Sequence, residues 1–346
     1  MADEKRLGSQ TVMLPSRPRI AAGACLAGKK EGEGPLGEMI HEIIADDTFG
    51  EETWEKAETR FYLTAVKQAI AKAGLTEKAV DFLLGGDLLN QIMSASIAAR
   101  EVGVPFLGLY GACSTMAESL CLGGMLVDGG YARQVVCAAS SHFCTAERQY
   151  RFPLEYGGQR PPTAQWTVTG AGATLVTGDT RHKALAYLTH ATVGRVVDMG
   201  ITDANNMGAA MAPAACDTLC AHFHDMERSP EDYDLIVTGD LGQVGRDLLL
   251  ELMVKRGIPL IQQRYMYCGL EIFDKSQDVH AGGSGCGCSA VVLNSLLLGK
   301  LCRGEVRRIL FMATGALLSP TSSQQGQSIP GVAHAVVLEG GDGECS

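Results

Sequence analysis

The sequence has 346 residues, of which 46% are hydrophobic and 20% charged, and its formal net charge is −10. This balance excludes an intrinsically disordered chain, and the acidic charge without a Lys/Arg-rich run argues against nucleic-acid binding. No apolar stretch reaches the ~18 residues that cross a bilayer, so we expect no transmembrane segment. The polar N-terminus lacks the apolar core of a secretory signal, so we expect no signal peptide.

The first half of the sequence alternates short apolar segments with longer amphipathic ones. Residues 52–73 predict a helix, because apolar side chains recur there at every third or fourth position. Gly74 is positioned to end it. Further helices are predicted over 88–100 and 113–128, and short strands over 20–24, 80–84, 105–110, 134–140 and 173–177.

The second half repeats this order of elements, with a helix starting near Met207 and strands over 235–238 and 333–338. Three segments align between the halves: 76–87 with 229–240, 104–107 with 258–261, and 130–140 with 304–314. An insertion of about 20 residues, around 262–282, interrupts the second copy. Alternating strands and helices favour largely parallel sheets with crossover helices. The repeat predicts two homologous α/β halves, 1–182 and 183–346, and chance similarity between two βαβ units is the alternative.

A cysteine opens the helix that follows the third strand of the first half. The run Gly111-Ala112-Cys113-Ser114, the Gly/Ala-rich segment 169–173 and the C-terminal segment 328–339 resemble thiolase-like condensing enzymes, including the β-ketoacyl-ACP synthase III type. The resemblance covers nearly the whole chain. It implies an α/β, thiolase-like fold of two pseudo-symmetric halves with mixed, mostly parallel sheets flanked by helices, and it implies a homodimer.

Three longer segments point to one family within that superfamily. Residues 147–173, 207–213 and 319–327 resemble the stage V sporulation protein AD family, SpoVAD. The resemblance implies a peripheral protein of the forespore inner membrane that works with other SpoVA proteins in uptake of dipicolinic acid. It implies binding of dipicolinate or of its calcium chelate rather than known catalysis. No cofactor is required, and calcium would enter only with the ligand.

Cys113 is the candidate nucleophile. A thiol at a helix N-terminus lies beside a partial positive charge, which is expected to lower its pKa, and nearby backbone amides could hold an oxyanion. In the condensing enzymes this cysteine accepts the acyl group. The alternative is that Cys113 is a small buried residue without reactivity.

The groups that would assist such a nucleophile are depleted. Synthase III enzymes carry a His-Gln-Ala-Asn run after the strand predicted over 235–238, and this chain has Gly239-Asp240-Leu241-Gly242 there. His280 opens a loop that resembles the histidine loop of thiolases, although it lacks their proline. No cysteine lies between Glu305 and Gly343 to act as a second acid. Claisen chemistry needs a base and enolate stabilisation, so we expect a binding protein. An acyltransferase using Cys113 with His280 as base is the alternative, and a purely structural scaffold is a third.

Recognition of a flat dicarboxylate calls for cationic side chains beside an aromatic or aliphatic slot. Arg148, Arg151 and Arg160 follow the strand predicted over 134–140, with aromatic residues between them, and His142 lies at the start of the same segment. Arginine contacts carboxylates in a planar, bidentate way. Asp240 could supply an oxygen ligand if calcium accompanies the ligand. The alternative is a dimer-interface loop whose arginines pair with neighbouring glutamates.

Other constellations are discounted. Cys216 and Cys220 share a helix face, but two thiols do not complete a zinc site, and His222 and His224 face opposite sides of that helix. We therefore expect no metal site. Segment 169–172 lacks the glycine spacing for a dinucleotide. The twelve cysteines lack the spacing of a disulfide framework and suit a reducing compartment.

Overall fold

The computed structural model describes residues 5–150 and 160–342. Hydrogen-bonded strands in these ranges build one twelve-stranded sheet and a separate two-stranded one. The strands are β1 Thr11–Met13, β2 Arg19–Gly28, β3 Glu42–Ile44, β4 Phe82–Gly86, β5 Phe106–Gly108, β6 Gln134–Ser141, β7 Trp166–Thr167, β8 Gly170–Thr177, β9 Ala186–Thr192, β10 Leu235–Thr238, β11 Tyr265–Tyr267, β12 Gly283–Ser284, β13 Arg308–Ala316 and β14 Gly331–Gly340.

The helices of the same ranges connect these strands and flank the sheet. They are α1 Lys29–Gly32, α2 Trp54–Lys72, α3 Met93–Val102, α4 Thr115–Asp128, α5 Phe143–Tyr150, α6 Met207–Met226, α7 Gly242–Lys255, α8 Cys268–Glu271, α9 Cys286–Val292, α10 Leu298–Cys302 and α11 Pro320–Gln324. A π-helical turn, Leu293–Leu297, joins α9 to α10.

The main sheet consists of two five-stranded halves with mirrored strand order. The order runs β5-β4-β6-β8-β2 and continues β9-β14-β13-β10-β11. In each half four strands are mutually parallel, and the fifth, β8 or β14, is antiparallel to its neighbours. The predicted mixed, mostly parallel α/β architecture with pseudo-symmetric halves is therefore confirmed. The halves meet where Arg19 and Ile20 of β2 pair with Tyr187 and Ala186 of β9, which makes the two expected sheets one continuous sheet.

Three hydrophobic clusters define the layers of the molecule. Helices α4 and α9 contact each other and strands of both halves, and their cluster includes Cys113. A second cluster packs α2 and α3 against the outer face of the first half. The third packs α6 and α7 on the second half. Two helices thus lie at the centre between the halves, and Cys113 sits at the entry to one of them.

Two local predictions are wrong. Residues 88–100 do not form one helix, because Gln91 and Ile92 adopt left-handed backbone with φ of 57° and 47°, and the α-helix starts only at Met93. Segment 258–261, aligned with the strand of the first half, is not a strand. The chain instead pairs with β10 through β11, inside the predicted insertion, where Tyr265 and Tyr267 are both buried. The aliphatic segment 258–261 is the more hydrophobic of the two, so hydropathy favours the wrong segment, and the burial of the tyrosines accompanies the actual pairing.

No helix in the two described ranges combines the length and the apolar character needed to cross a membrane.

Candidate functional site

Cys113 lies on a tight turn between β5 and α4. Ala112 just before it has φ of 49°, a left-handed conformation that costs a non-glycine residue roughly 1–3 kcal/mol. Hydrogen bonds hold the turn: Ser114 Oγ donates to the Gly111 carbonyl at 2.7 Å, and Thr115 Oγ1 donates to the Ala112 carbonyl at 2.7 Å. The cysteine thus belongs to a short 3-10 turn, Ala112–Ser114, that precedes the α-helix.

Asp240 is the titratable partner of this thiol. It follows β10 and is fully buried. Its Oδ1 accepts a hydrogen bond from Thr314 Oγ1 at 2.6 Å, and its carboxyl also interacts with the Cys113 thiol. Burial raises the pKa of Asp240 from 3.8 to about 7, although the contacts with Cys113 and Thr314 act to lower it. The titratable group beside the Cys113 thiol is therefore a buried weak acid.

The electrostatic environment keeps Cys113 protonated. Burial raises the pKa of this thiol well above its ordinary value, and the neighbouring Asp240 carboxyl raises it further. The expectation that the helix N-terminus would lower this pKa is wrong. Desolvation of a buried thiolate outweighs the partial charge of the helix end, and no cationic side chain among the described residues lines the cavity beside it.

A narrow cavity opens over Cys113, with about 40 Å³ of room for water-sized molecules. Its apolar wall comes from both halves of the chain: Leu88, Ala112, Ala146, Tyr150, Ala204, Met207, Ala316 and Leu318. The polar lining consists of Cys113, Glu147, Gln165, Thr167 and Ser284. The hydroxyls of Thr167 and Ser284 make no hydrogen bond with any described residue, so they are available as donors to a ligand. The cavity therefore combines apolar walls with two free hydroxyls.

Gln165 lines the Cys113 cavity and was not predicted from the sequence. Its Nε2 donates to the Asp240 carbonyl at 2.5 Å and approaches Tyr267 Oη at 3.2 Å. Its side chain also fills the space that a Cβ at Gly242 would need, and Gly242 has φ of 69°. Gln165 and Thr167 lie within segment 147–173, so family resemblance was the only available signal. No periodicity marks them.

The structure does not bring His280 to the cavity of Cys113. Its Nδ1 donates to the Pro161 carbonyl at 2.9 Å, and its Nε2 lies 3.2 Å from Asp278 Oδ1. It is absent from the described lining of the cavity. The candidate base therefore lies in the loop that connects the 3-10 turn Lys275–Gln277 to β12, where it contacts Asp278 and the Pro161 carbonyl.

Arg148 and Arg160, two of the arginines predicted to bind the ligand, contact different parts of the protein. Arg148 forms an ion pair with Glu55, and its guanidinium lies 5.8 Å from the ring centre of Trp54. Arg160 lies over the ring of Trp166, 4.5 Å from its centre. Neither residue lines the Cys113 cavity. Arg151 lies outside the described residues, and its assignment to the ligand stays a prediction.

A second cavity, of about 280 Å³, lies beside the first. Its lining includes the predicted residue His142 and two lysines that sequence reasoning missed, Lys29 and Lys30. His142 Nε2 donates to the Asp47 carbonyl at 2.8 Å, and its Nδ1 accepts from the Cys144 amide at 3.1 Å. Burial lowers the pKa of His142, so its imidazole is neutral at pH 7. His142 therefore belongs to the second cavity, and both of its nitrogens are occupied.

The cysteine and histidine residues of α6 have structural contacts. His222 Nδ1 shares a hydrogen bond with Thr192 Oγ1 at 2.7 Å, and its Nε2 with Tyr233 Oη at 2.6 Å. Within the described ranges no group of three or more His, Cys, Asp or Glu side chains is arranged to hold a metal ion. Cys286 and Cys288 are buried at the start of α9.

Comparison with known proteins adds two findings. The stage V sporulation protein AD family matches residues 8–339. The stage V sporulation protein AD of Bacillus subtilis (strain 168) is 45% identical over 97% of this chain and 98% of its own length.

Solved structures share the fold at low identity. 3-Oxoacyl-[acyl-carrier-protein] synthase III of Aquifex aeolicus aligns with a TM-score of 0.59 at 16% identity, over 93% of this chain and 99% of its own. Cerulenin-bound OleA of Xanthomonas campestris aligns with a TM-score of 0.62 at 14% identity, over 93% of this chain and 96% of its own. Human mitochondrial 3-ketoacyl-CoA thiolase aligns with a TM-score of 0.55 at 12% identity, over 94% of this chain and 99% of its own. These similarities establish a thiolase-like fold and nothing about chemistry.

Proposed function

Because this chain belongs to the stage V sporulation protein AD family, we propose that it binds dipicolinic acid, or its calcium chelate, without catalysis as part of the SpoVA uptake system. The observation that carries the proposal is the pairing of Cys113 with Asp240. A nucleophile needs an adjacent base or a lowered pKa, and here a buried carboxyl faces a thiol whose pKa is raised. The site retains a cavity, its thiol has a raised pKa, and the described lining of the cavity contains neither an imidazole nor a cationic side chain.

The lining of the Cys113 cavity suits a flat aromatic acid. Apolar side chains, among them Leu88 and Leu318, can cover the faces of a pyridine ring. The hydroxyls of Thr167 and Ser284 can donate hydrogen bonds to its carboxylates. The cavity of about 40 Å³ is smaller than such a ring, so binding requires its walls to move apart.

Calorimetric titration with dipicolinate is expected to give saturable binding. The Thr167→Val variant keeps the shape of the side chain and removes the donor hydroxyl. We expect it to weaken binding by tenfold or more, because a hydrogen bond to a charged group contributes roughly 1.5–3 kcal/mol. Thr76→Val, at an exposed threonine without a side-chain hydrogen bond, is the matched control. Repeating the titration with calcium present compares the free acid with its chelate.

Absence of heat with either form of the ligand would overturn the proposed function. If the ligand binds and Thr167→Val behaves like Thr76→Val, the function stands and the placement of the ligand in the Cys113 cavity is wrong.

The acyltransferase alternative is tested by the intact mass of the protein. Incubation with an acyl-CoA is expected to leave the intact mass of the protein unchanged, because a protonated, buried thiol is a poor nucleophile. Ten of the described cysteines are free thiols. Any adduct must therefore be compared with the Cys113→Ser variant. A mass increase in the unsubstituted protein that disappears in Cys113→Ser would establish covalent chemistry at Cys113.

The remaining parts of the proposal concern location and assembly. We place the protein at the forespore inner membrane as a peripheral component beside other SpoVA proteins, on the basis of family membership. A homodimer is supported by the edge strand β5, whose outer side has no partner in the described sheet. Leu107 on β5 and nearby Tyr110 are 44% and 42% exposed. A free strand edge flanked by apolar side chains favours pairing with a second copy.

A further inference from the structure

We propose that Cys216 and Cys220 form a dithiol site that hydrogen peroxide oxidises to a reversible disulfide. Both cysteines lie on α6, four positions apart, and both are free thiols. Side chains at this spacing lie on the same face of a helix, with Cβ atoms roughly 5–6 Å apart. Neither cysteine lines the Cys113 cavity or the cavity beside it. The pair is therefore a separate site, and its chemistry does not depend on the proposed function.

The two thiols lie between α6 and the end of α7, which pack against each other on the second half of the sheet. Cys216 belongs to the buried cluster of this half and is 4% exposed, whereas Cys220 lies at the edge of the cluster and is half-buried. Arg256 follows the last residue of α7, and its guanidinium forms a hydrogen bond with the Cys216 sulfur. One thiol thus contacts both a second thiol and a cation.

These contacts favour the thiolate of Cys216. A hydrogen bond from the Cys220 thiol and the charge and hydrogen bond of Arg256 lower the pKa of Cys216 to about 7. They outweigh the opposing effects of burial and of Asp217, which is itself paired with Arg195 at 2.5 Å. The same thiol–thiol hydrogen bond raises the pKa of Cys220, so this residue keeps its proton. The pair therefore loses one proton near pH 7, and the negative charge lies on Cys216.

No other free thiol of the described residues shares this property. Burial raises the pKa of the free thiols outside the pair, which are Cys25, Cys113, Cys121, Cys137, Cys144, Cys268, Cys286 and Cys288. The thiolate is the nucleophile, and redox-sensing cysteines combine a low pKa with a neighbouring second thiol. At neutral pH an oxidant therefore reacts at Cys216 in preference to Cys113.

Oxidation proceeds in two steps. The Cys216 thiolate attacks one oxygen of hydrogen peroxide, so that an S–O bond forms, the O–O bond breaks, and the hydroxide that leaves takes up a proton to become water. Cys220 then attacks the sulfur of this sulfenic acid, so that the S–S bond forms, the S–O bond breaks, and a second water leaves with the thiol proton. Two thiols and one peroxide thus give one disulfide and two waters.

The burial and the spacing of the pair define the kind of chemistry it can support. Hydrogen peroxide is little larger than water and can enter beside the half-buried Cys220, whereas an acyl-CoA is too large to reach Cys216. A disulfide needs Cβ atoms about 3.5–4.5 Å apart, and deviations from its preferred geometry make the bond more reducible. The turn of α6 between the two cysteines must tighten to close the bond, so we expect a dithiol to reverse the oxidation readily.

Peptide mapping tests the site directly. Trypsin cuts after Arg195 and Arg228 and releases residues 196–228, whose two cysteines are Cys216 and Cys220. The reduced full-length protein is treated with hydrogen peroxide, and its remaining free thiols are then alkylated. We expect this peptide to lose two hydrogen atoms and escape alkylation, and dithiothreitol to restore it. The rate is expected to follow the thiolate fraction and to reach half of its plateau near pH 7.

Variants separate the contributions to reactivity. Arg256→Met removes the cation and is expected to slow the oxidation about fivefold, whereas Lys255→Met, at the neighbouring exposed lysine, is expected to leave it unchanged. In Cys220→Ser the serine hydroxyl can still donate to the Cys216 thiolate, but no disulfide can form. We therefore expect dimedone to trap the sulfenic acid of Cys216 in this variant.

Cys144 provides a comparison within the same sample. It is half-buried, and burial raises its pKa to about 11, so we expect it to be oxidised at least tenfold more slowly than Cys216 at pH 7. Equal rates, or a peptide 196–228 that stays open to alkylation, would overturn the proposal. Equal rates for Arg256→Met and Lys255→Met would overturn the role of Arg256. If Cys220→Ser does not fold, as judged by circular dichroism, the comparison with Cys144 in the unsubstituted protein decides.

Discussion

At pH 8 the Asp240→Asn variant is expected to be more stable than the unsubstituted protein by up to about 4 kcal/mol, and at pH 4 the two are expected to be close. Burial raises the pKa of Asp240 from 3.8 to about 7. A difference of this size corresponds to about 4 kcal/mol, since a tenfold change in proton affinity is worth roughly 1.4 kcal/mol. Asparagine keeps an acceptor for the Thr314 hydroxyl and removes the charge.

The sign follows from proton linkage. An acid whose pKa is higher in the folded state contributes stability that is complete below the unfolded value, near pH 3.8, and is lost as the pH rises to about 7. Urea unfolding between pH 4 and pH 8 measures the free energy of each variant. Burial also raises the pKa values of Glu31, Glu58 and Asp87, and their share cancels when the two curves are subtracted.

Glu38→Gln, at an exposed carboxylate, is the control and is expected to leave the pH dependence unchanged. Parallel curves for Asp240→Asn and the unsubstituted protein would show that Asp240 is not the weak acid described here, and the protonation argument for the Cys113 cavity would fail with it.

Gly315→Ala is expected to destabilise the protein by about 3 kcal/mol, the range of an overpacked core. Gly315 lies in β13 opposite Val332 of β14, and a Cβ there would overlap the carbonyl oxygen of Gly111. Gly111 begins the turn that carries Cys113, and its carbonyl already accepts from Ser114 Oγ. The added methyl group can be accommodated only if the strand or this turn moves.

The matched control for Gly315→Ala is Gly340→Ala, in the neighbouring strand β14. A Cβ at Gly340 would lie 3.5 Å from the Leu301 carbonyl oxygen, an ordinary contact, so we expect little loss of stability. Urea unfolding compares the two variants. Equal free energies of unfolding for the two variants would show that the turn of Cys113 tolerates a Cβ at position 315.

Much of the fold was predictable from local patterns and from the repeat. The helix predicted over 52–73 appears as Trp54–Lys72, and the strand predicted over 235–238 appears as Leu235–Thr238. Periodicity depends on the positions of apolar side chains along one segment, so it can be read from that segment alone. Strand β11 was misplaced because the segment that pairs with β10 is decided by contacts between the two strands and not by local hydropathy.

The sequence by itself determined the family, the two repeated α/β halves and the identity of Cys113 and Asp240 as residues of interest. Only the tertiary structure decided what these residues can do, because a pKa depends on burial and on neighbours brought from distant segments. Asp240 meets Thr314 of its own half and Cys113 of the other half, and the burial of the thiol beside this carboxyl reverses the expected effect of the helix N-terminus. In the same way, only folding separates Arg148 from Arg160 and gathers Arg160 and Lys30 at Trp166.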